Sequence, residues 1–405
     1  MKHAMNVVHA LQPFPDKVIS SIFLAGPTAR DAKVKGWRPE ALEFLVAAGY
    51  GGTVFVPEHE GWKPGLDPKD WTAQVEWEEE ALNRADCILF WIPRNMKALP
   101  GLTTNDEWGR WKDSGKCVLG TPEGAMHVGY QRFYAERLAV PLCSTLAETV
   151  AVALKMVGVG EARAGGEAQV PLPIWQHPTF RAWYATQREA GNRLDGARVL
   201  WTFRVGPGRA RVFSWVVHVD VYVAIEGRNK VNEFVLGRTD VSSVVMWRRP
   251  NALEDDPFLD IEIVLVKEFR SPARNASGFV YELPGGSAAE PGADDDRDLA
   301  VAAEEVHQET GLAINASRFR RQGVRQPAAT LSAHTASLFS VELTAKEMER
   351  LREDAISGVP HGVAADTERT YVDISTLRIA IETGFVDWTT IGQIMAALSR
   401  PEGGP

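Results

Sequence analysis

The sequence predicts an α/β chain: a doubly wound parallel sheet in the N-terminal part, then an α+β domain built on a mixed sheet. Three observations carry that prediction. Ser21–Ala25, Thr53–Val56, Cys87–Ile92 and Cys117–Leu119 are short apolar runs without polar alternation, as in strands covered on both faces. Segments with helical periodicity separate them, which is the signature of parallel strands joined by crossover helices. After Met156 the texture changes, and the later apolar runs read as a mixed or antiparallel sheet.

In order along the chain, Pro39–Ala48 and Gln74–Ala85 carry apolar residues at helical spacing, and Arg132–Leu138 and Leu146–Met156 follow the same pattern. Residues 157–173 are rich in Gly, Ala and Pro and read as a linker. The expected organisation is therefore a domain over 1–156, a linker over 157–173 and a second domain over 174–405. In the second domain Val199–Arg204, Val212–Ala224 and Ile261–Val266 read as strands. Leu299–Thr310 reads as a helix, with Gly311 where a helix C-terminal glycine belongs.

The chain has 405 residues, enough for each half to bury its own core. Its net charge of -9 argues against a nucleic-acid or anionic-membrane partner, either of which needs a basic face. Three cysteines without CxxC spacing argue against a disulfide framework or a zinc cluster. The first residues lack an apolar run long enough for a signal or a membrane span, so a cytoplasmic protein is expected.

In an open parallel sheet, ligands bind beyond the carboxyl ends of the strands. The first strand runs into Gly26, Pro27, Thr28 and then Arg30; the second into Pro57-Glu58-His59. The third ends near Trp91 and continues through Arg94 to Thr104-Asn105-Asp106-Glu107-Trp108-Gly109. Small, polar and carboxylate groups thus converge on one rim. Trp37, Trp62, Trp71, Trp77, Trp91, Trp108 and Trp111 fall in this region and offer planar faces to a base, although most aromatic residues of this kind form core. Thr104-x-x-Glu107 also has the spacing of a capping box, a purely structural role.

The strings FLAGP, VEWEEEAL, ADCILFWIPR, LPGLTTNDEWGRW and VLGTPEGA, in this order, resemble the nucleoside 2-deoxyribosyltransferase-like family over roughly residues 18–155. The resemblance implies a flavodoxin-like sheet and chemistry at an N-glycosidic bond, with no cofactor for this domain. It implies Glu107 as the nucleophile towards the anomeric carbon and Asp86 as a group handling base or sugar. Gly26, Pro27, Thr28, Arg30, Trp91, Arg94, Asn105 and Gly109 are the expected substrate-binding positions. A carboxylate beside a carbon that develops positive charge can stabilise it and trap the sugar, as in retaining glycosidases. Transfer to a second base and hydrolysis by water both remain open. Related transferases build sites across subunits, so a homo-oligomer is a possible partner state.

In the second domain, Tyr281-Glu-Leu-Pro-Gly-Gly286 followed by Ala302–Leu312 resembles a Nudix box. Gly286, Glu305, Val306, Glu309, Gly311 and Leu312 fit its pattern. Glu304 stands at the arginine position, Gln308 replaces one glutamate, and a longer loop leaves Asp296 where an early glutamate falls. Glu305 and Glu309 are one turn apart and share a helix face, which suits Mg2+ or Mn2+ bridging a pyrophosphate. The preceding IVLVKEFRSP is similar to the ADP-ribose pyrophosphatase branch, and Glu368 matches its late loop base. The whole predicts a nucleotide-metabolism protein acting on a small nucleoside or nucleotide. The alternatives are a Nudix pyrophosphatase as the main activity, or a sensor that binds nucleotides without turnover.

Overall fold

The computed structural model describes residues 4–30, 33–61, 71–249, 256–287, 295–362 and 369–399. The chain divides into two compact units, Met1–Gly237 and Arg238–Pro405.

Unit 1 begins with β1 (Asn6–His9), β2 (Lys17–Val18), β3 (Ser21–Ala25), α1 (Arg38–Ala47), β4 (Thr53–Val56), α2 (Trp71–Arg84) and β5 (Cys87–Trp91). There follow α3 (Leu102–Trp111), β6 (Cys117–Gly120), α4 (Gly129–Arg137), β7 (Leu142–Cys143) and α5 (Leu146–Val157). The main sheet has the order β1-β4-β3-β5-β6-β7 and every pair in it is parallel. From β3 onwards this is the 2-1-3-4-5 order of flavodoxin-like sheets, with the switch point between β3 and β5. β1 adds an edge strand that the sequence reading missed. The central strands are fully buried because both faces are covered. Phe23, Phe55 and Phe90 pack on one face with Trp77 of α2 and Trp108 of α3. The alternate residues Ile22, Leu24 and Leu89 are fully buried on the other face, where α5 packs on β5 and β6.

Unit 1 continues with β8 (Arg163–Ala164), α6 (Leu172–Trp175), α7 (Pro178–Glu189), β9 (Arg193–Val205), β10 (Arg211–Val223) and β11 (Arg228–Arg238). This corrects the expected linker and domain boundary. Residues 157–173 are anchored: β8 pairs with β2, and Arg163, Val170 and Leu172 are buried. The physical reason is an ion pair. Arg163 Nη2 lies 2.6 Å from Asp86 Oδ2, and both side chains are sealed from solvent. Strands β9, β10 and β11, expected in the second domain, form a three-stranded sheet within unit 1.

Unit 2 contains β12 (Val241–Arg248), β13 (Glu262–Phe269), β14 (Phe279–Glu282), β15 (Gly285–Ser287), α8 (Asp295–Thr310), β16 (Arg320–Arg325) and β17 (Ala336–Glu342). It ends with α9 (Ala345–Ser357), β18 (Pro360–His361), β19 (Thr370–Thr376), α10 (Leu377–Thr383) and α11 (Trp388–Leu398). The sheet is mixed, as expected: β12 runs parallel to β17 and antiparallel to β13. Alternate residues feed two cores. Val244, Met246 and Val264 pack with Ala302 and Val306 of α8 and with Leu351 of α9. Val245, Ile263 and Leu265 pack with Leu377 of α10 and Ile394 of α11. No helix among the described residues is long and apolar enough to cross a membrane.

Candidate active site

At the switch point the chain leaves β3 through Gly26, whose φ is 150°. A Cβ there would overlap the Trp91 carbonyl and the Trp37 ring, so the position accepts only glycine. Trp37 Nε1 donates to the Pro27 carbonyl at 3.0 Å and fixes the turn. Arg38, the first residue of α1, is buried and organises the crevice. Its Nε donates to Leu24 O (3.1 Å) and its Nη2 to Gly26 O (2.7 Å). Its Nη1 donates to Thr28 Oγ1 (3.0 Å) and to Glu58 Oε1 (2.5 Å). The guanidinium therefore ties the ends of β3 and β4 together.

Two further carboxyls face this arginine. Gln74 Nε2 donates to Pro57 O (3.1 Å) and to Glu78 Oε1 (2.6 Å), which fixes Glu78 on the inner side of α2. Glu107 comes from α3, whose N-cap is Gly101 with no side-chain cap bond. The capping-box reading of Thr104-x-x-Glu107 thereby fails, because Glu107 sits past the first turn. Glu107 is partly exposed and accepts no hydrogen bond from the described residues. Desolvation, then repulsion from Glu78, push its carboxyl up to about 8, while Arg38 opposes the shift. Burial raises Glu78 as well. The two carboxyls and the guanidinium thus interact at the carboxyl edge of the sheet. Desolvation, with the Glu78 charge adding to it, favours a proton on Glu107 near neutral pH.

The structure separates several residues that the sequence grouped. Asp86 precedes β5, at the opposite edge of the sheet from Glu107. It is buried and accepts from Arg163 Nη1 and Nη2, from the Ser21 backbone and hydroxyl, and from Leu172 N. In the fold it anchors the 163–172 segment. The Trp91 ring lies against Gly120, leaving only its carbonyl beside Gly26. Arg94, Asn105 and Gly109 line a separate cleft of about 440 Å³. There Arg94 Nη2 donates to Asn105 Oδ1 at 2.6 Å. Positions 105 and 107 lie roughly 200° apart around a helix, so that cleft flanks the other face of α3. Gly26, Pro27 and Thr28 do border the crevice. Arg30 is exposed nearby, its backbone N donating to Ala98 O. Among the described tryptophans, Trp37 is the one whose ring lies against Gly26; Trp77 and Trp108 are core, and Trp62 lies outside the described residues.

Glu78 and Arg38 were missed beside Glu58, which the sequence places on the rim. A signal for both existed. Gln74 and Glu78 repeat at i, i+4 beside the buried Trp77, placing polar groups next to a covered stripe. Arg38 opens a helix, where the macrodipole disfavours a cation unless carboxylates compensate.

In unit 2, Glu305 and Glu309 lie on α8 beneath the β15 glycines. Gly285 N donates to Glu309 Oε2 at 3.0 Å, and a Cβ on Gly286 would overlap the Glu305 carboxyl. Burial, with Glu305 and Glu268 adding repulsion, raises Glu309 to about 8. Arg270 Nη2 bridges Glu268 (2.9 Å) and Glu282 (2.8 Å). Glu304 and Gln308, which stand at the two departed box positions, bond each other at 2.9 Å on an exposed face. Among the described residues no three His, Cys, Asp or Glu side chains gather as metal ligands. Arg270 adds positive charge near Glu309 and opposes its shift. Glu368 lies outside the described residues.

None of the curated proteins compared matches the chain. Residues 19–125, which contain the whole Arg38–Glu78–Glu107 crevice, match the family described as "Nucleoside 2-deoxyribosyltransferase like" and form a domain similar to that family.

Proposed function

We propose that unit 1 breaks the N-glycosidic bond of a nucleoside or nucleoside monophosphate, with Glu107 as nucleophile. The observation that carries this reading is the Glu107–Glu78 pair facing Arg38 at the switch point. A Glu107 oxygen bonds to the anomeric carbon as the carbon–nitrogen bond breaks and its electron pair leaves with the base. In the reactive form Glu107 is the carboxylate, and Glu78, which burial also favours in its protonated form, gives its proton to the departing base nitrogen. A second base or water then takes the sugar from Glu107 and returns a proton to Glu78. Arg38 holds the rim rigid and limits the repulsion between the two carboxyls. No metal takes part, so chelator leaves the rate unchanged.

The deciding experiment incubates the full chain with a panel of deoxynucleosides and their monophosphates, with and without a second base, and follows free base by chromatography. Base release by wild type and its loss in Glu107→Gln are expected. Equal release by both proteins overturns the assignment.

For unit 2 we propose binding, without hydrolysis, of a diphosphate-linked nucleoside compound. The reading rests on Arg270 bridging two carboxylates and on the Glu304–Gln308 bond at the altered positions. Calorimetry with ADP-ribose should give the same affinity with magnesium and with chelator. Magnesium-dependent release of AMP would restore the pyrophosphatase alternative.

A further inference from the structure

At the amino edge of the parallel sheet, away from Glu107, unit 1 contains a second cavity of about 560 Å³. This lies within the size range of small-molecule sites. Its charge runs against that of the chain. Arg110, Lys116, Arg198, Arg204 and Arg209 line it, whereas Asp113 is its one lining carboxylate. Glu79, just outside, is shared by Arg110 at 2.7 Å and by Arg198.

Two of the remaining cations are held by neutral groups. Lys116 is buried, and its Nζ donates to Leu82 O (2.8 Å) and Asn83 O (3.1 Å), the last carbonyls of α2. The same ammonium lies 4.6 Å from the centre of the Trp111 ring. Arg204 donates to the carbonyls of Arg209 and Ala210 and packs on Gly115, where a Cβ would overlap its guanidinium. Arg209 forms no ion pair with the described residues. Desolvation lowers the pKa of both Lys116 and Arg204; Asp86 opposes the shift at Lys116, whereas Arg209 adds to it at Arg204. Beside these groups, Trp201 and Phe203 stack on each other at 6.0 Å and remain about half exposed, at 51% and 45%. Cations next to open aromatic faces suit a ligand that is both anionic and planar.

We propose that this cavity is a second ligand site, for a small phosphorylated aromatic compound of nucleotide size. Arg209 and Arg204 take the phosphate, and Trp201 takes the ring. The site is distinct from the Glu107 crevice and independent of the reaction assigned to it. It touches the same two helices, because Arg110 on α3 and Glu79 on α2 meet at its edge.

The test is calorimetry of the full chain in a Glu107→Gln background, with AMP, adenosine, inorganic phosphate and heparin as probes. The expected result is an AMP-binding event weakened about tenfold or more in Arg209→Glu, the loss typical of one charge-assisted contact. Trp201→Ala should weaken it about fivefold or more, through lost stacking. Both residues are exposed, so unchanged melting temperatures should accompany the losses. Adenosine and phosphate alone should each bind at least about tenfold more weakly than AMP, since each uses half the site. AMP titrations that are identical in the parent and both variants overturn the proposal. So does heparin binding that is sensitive to Arg209→Glu while AMP does not bind, which would identify a polyanion surface.

Discussion

The two edges of the unit 1 sheet each hold a carboxyl beside an arginine, and they use it in opposite ways. At the amino edge Asp86 is saturated: Arg163 embraces it and two backbone N–H groups complete its shell. At the carboxyl edge Glu107 has no donor among the described residues, a like-charged neighbour in Glu78, and an arginine already committed to Glu58. A compensated charge stabilises a fold and does no chemistry. An uncompensated one costs stability and is available to react. Activity should therefore vanish on mutating one edge, and stability on mutating the other.

The strongest way to break this contrast is Glu107→Gln. Base release should fall about 10³-fold or more, because no other group can bond to the anomeric carbon. The melting temperature should hold or rise. A variant that loses activity only by unfolding would abolish the contrast.

Asp86→Asn should do the reverse. It leaves Arg163 buried without a counter-charge, at a cost of about 3–5 kcal/mol. Thermal unfolding of unit 1 should drop by about 10 °C. The protein that remains folded should release base at the parental rate. A normal melting temperature would remove Asp86 from its structural role.

The third prediction concerns pH. Glu107 ionises near 8 when folded and lower when unfolded. Between the unfolded value and about 8 the native state holds the extra proton, so stability falls as pH rises through this window and levels off above it. Glu107→Gln should flatten that slope. Activity needs the carboxylate, so kcat/KM should rise with pH towards 8. Glu78→Gln removes the like charge. It should shift this limb to lower pH and reduce kcat about 10²-fold through loss of the proton donor. An unmoved limb would separate the two carboxyls.

The smallest effect should come from unit 2. Gly286→Ala pushes a methyl into the Glu305 carboxyl and should cost about 1–3 kcal/mol of stability there. ADP-ribose affinity should fall, with base release untouched. Loss of base release in this variant would mean that ligand binding in unit 2 is coupled to base release.

Much of the architecture was legible in the sequence. The strands Ser21–Ala25 and Thr53–Val56 were read to the residue, because runs buried on both faces have sharp ends. Glu107 was singled out because it follows an apolar strand within a specific string. Asp86 was grouped with Glu107 on the resemblance, although a residue just before a strand lies at the opposite edge of the sheet from one that follows it. Residues 157–173 misled because Gly, Ala and Pro are common in linkers, and composition does not reveal that Arg163 has a partner 77 positions earlier. β1 was missed because its four residues only pair, in parallel, with β4.

By itself the sequence determined the strand–helix alternation and the buried strands, because periodicity and apolar runs are local properties. Only the tertiary structure decided which charges meet. Glu78 and Arg38 come from helices far from Glu107 in the chain, and Asp86 finds its arginine across the fold. A carboxyl's reactivity depends on solvent and on charges a few ångströms away, and chain folding alone sets those distances.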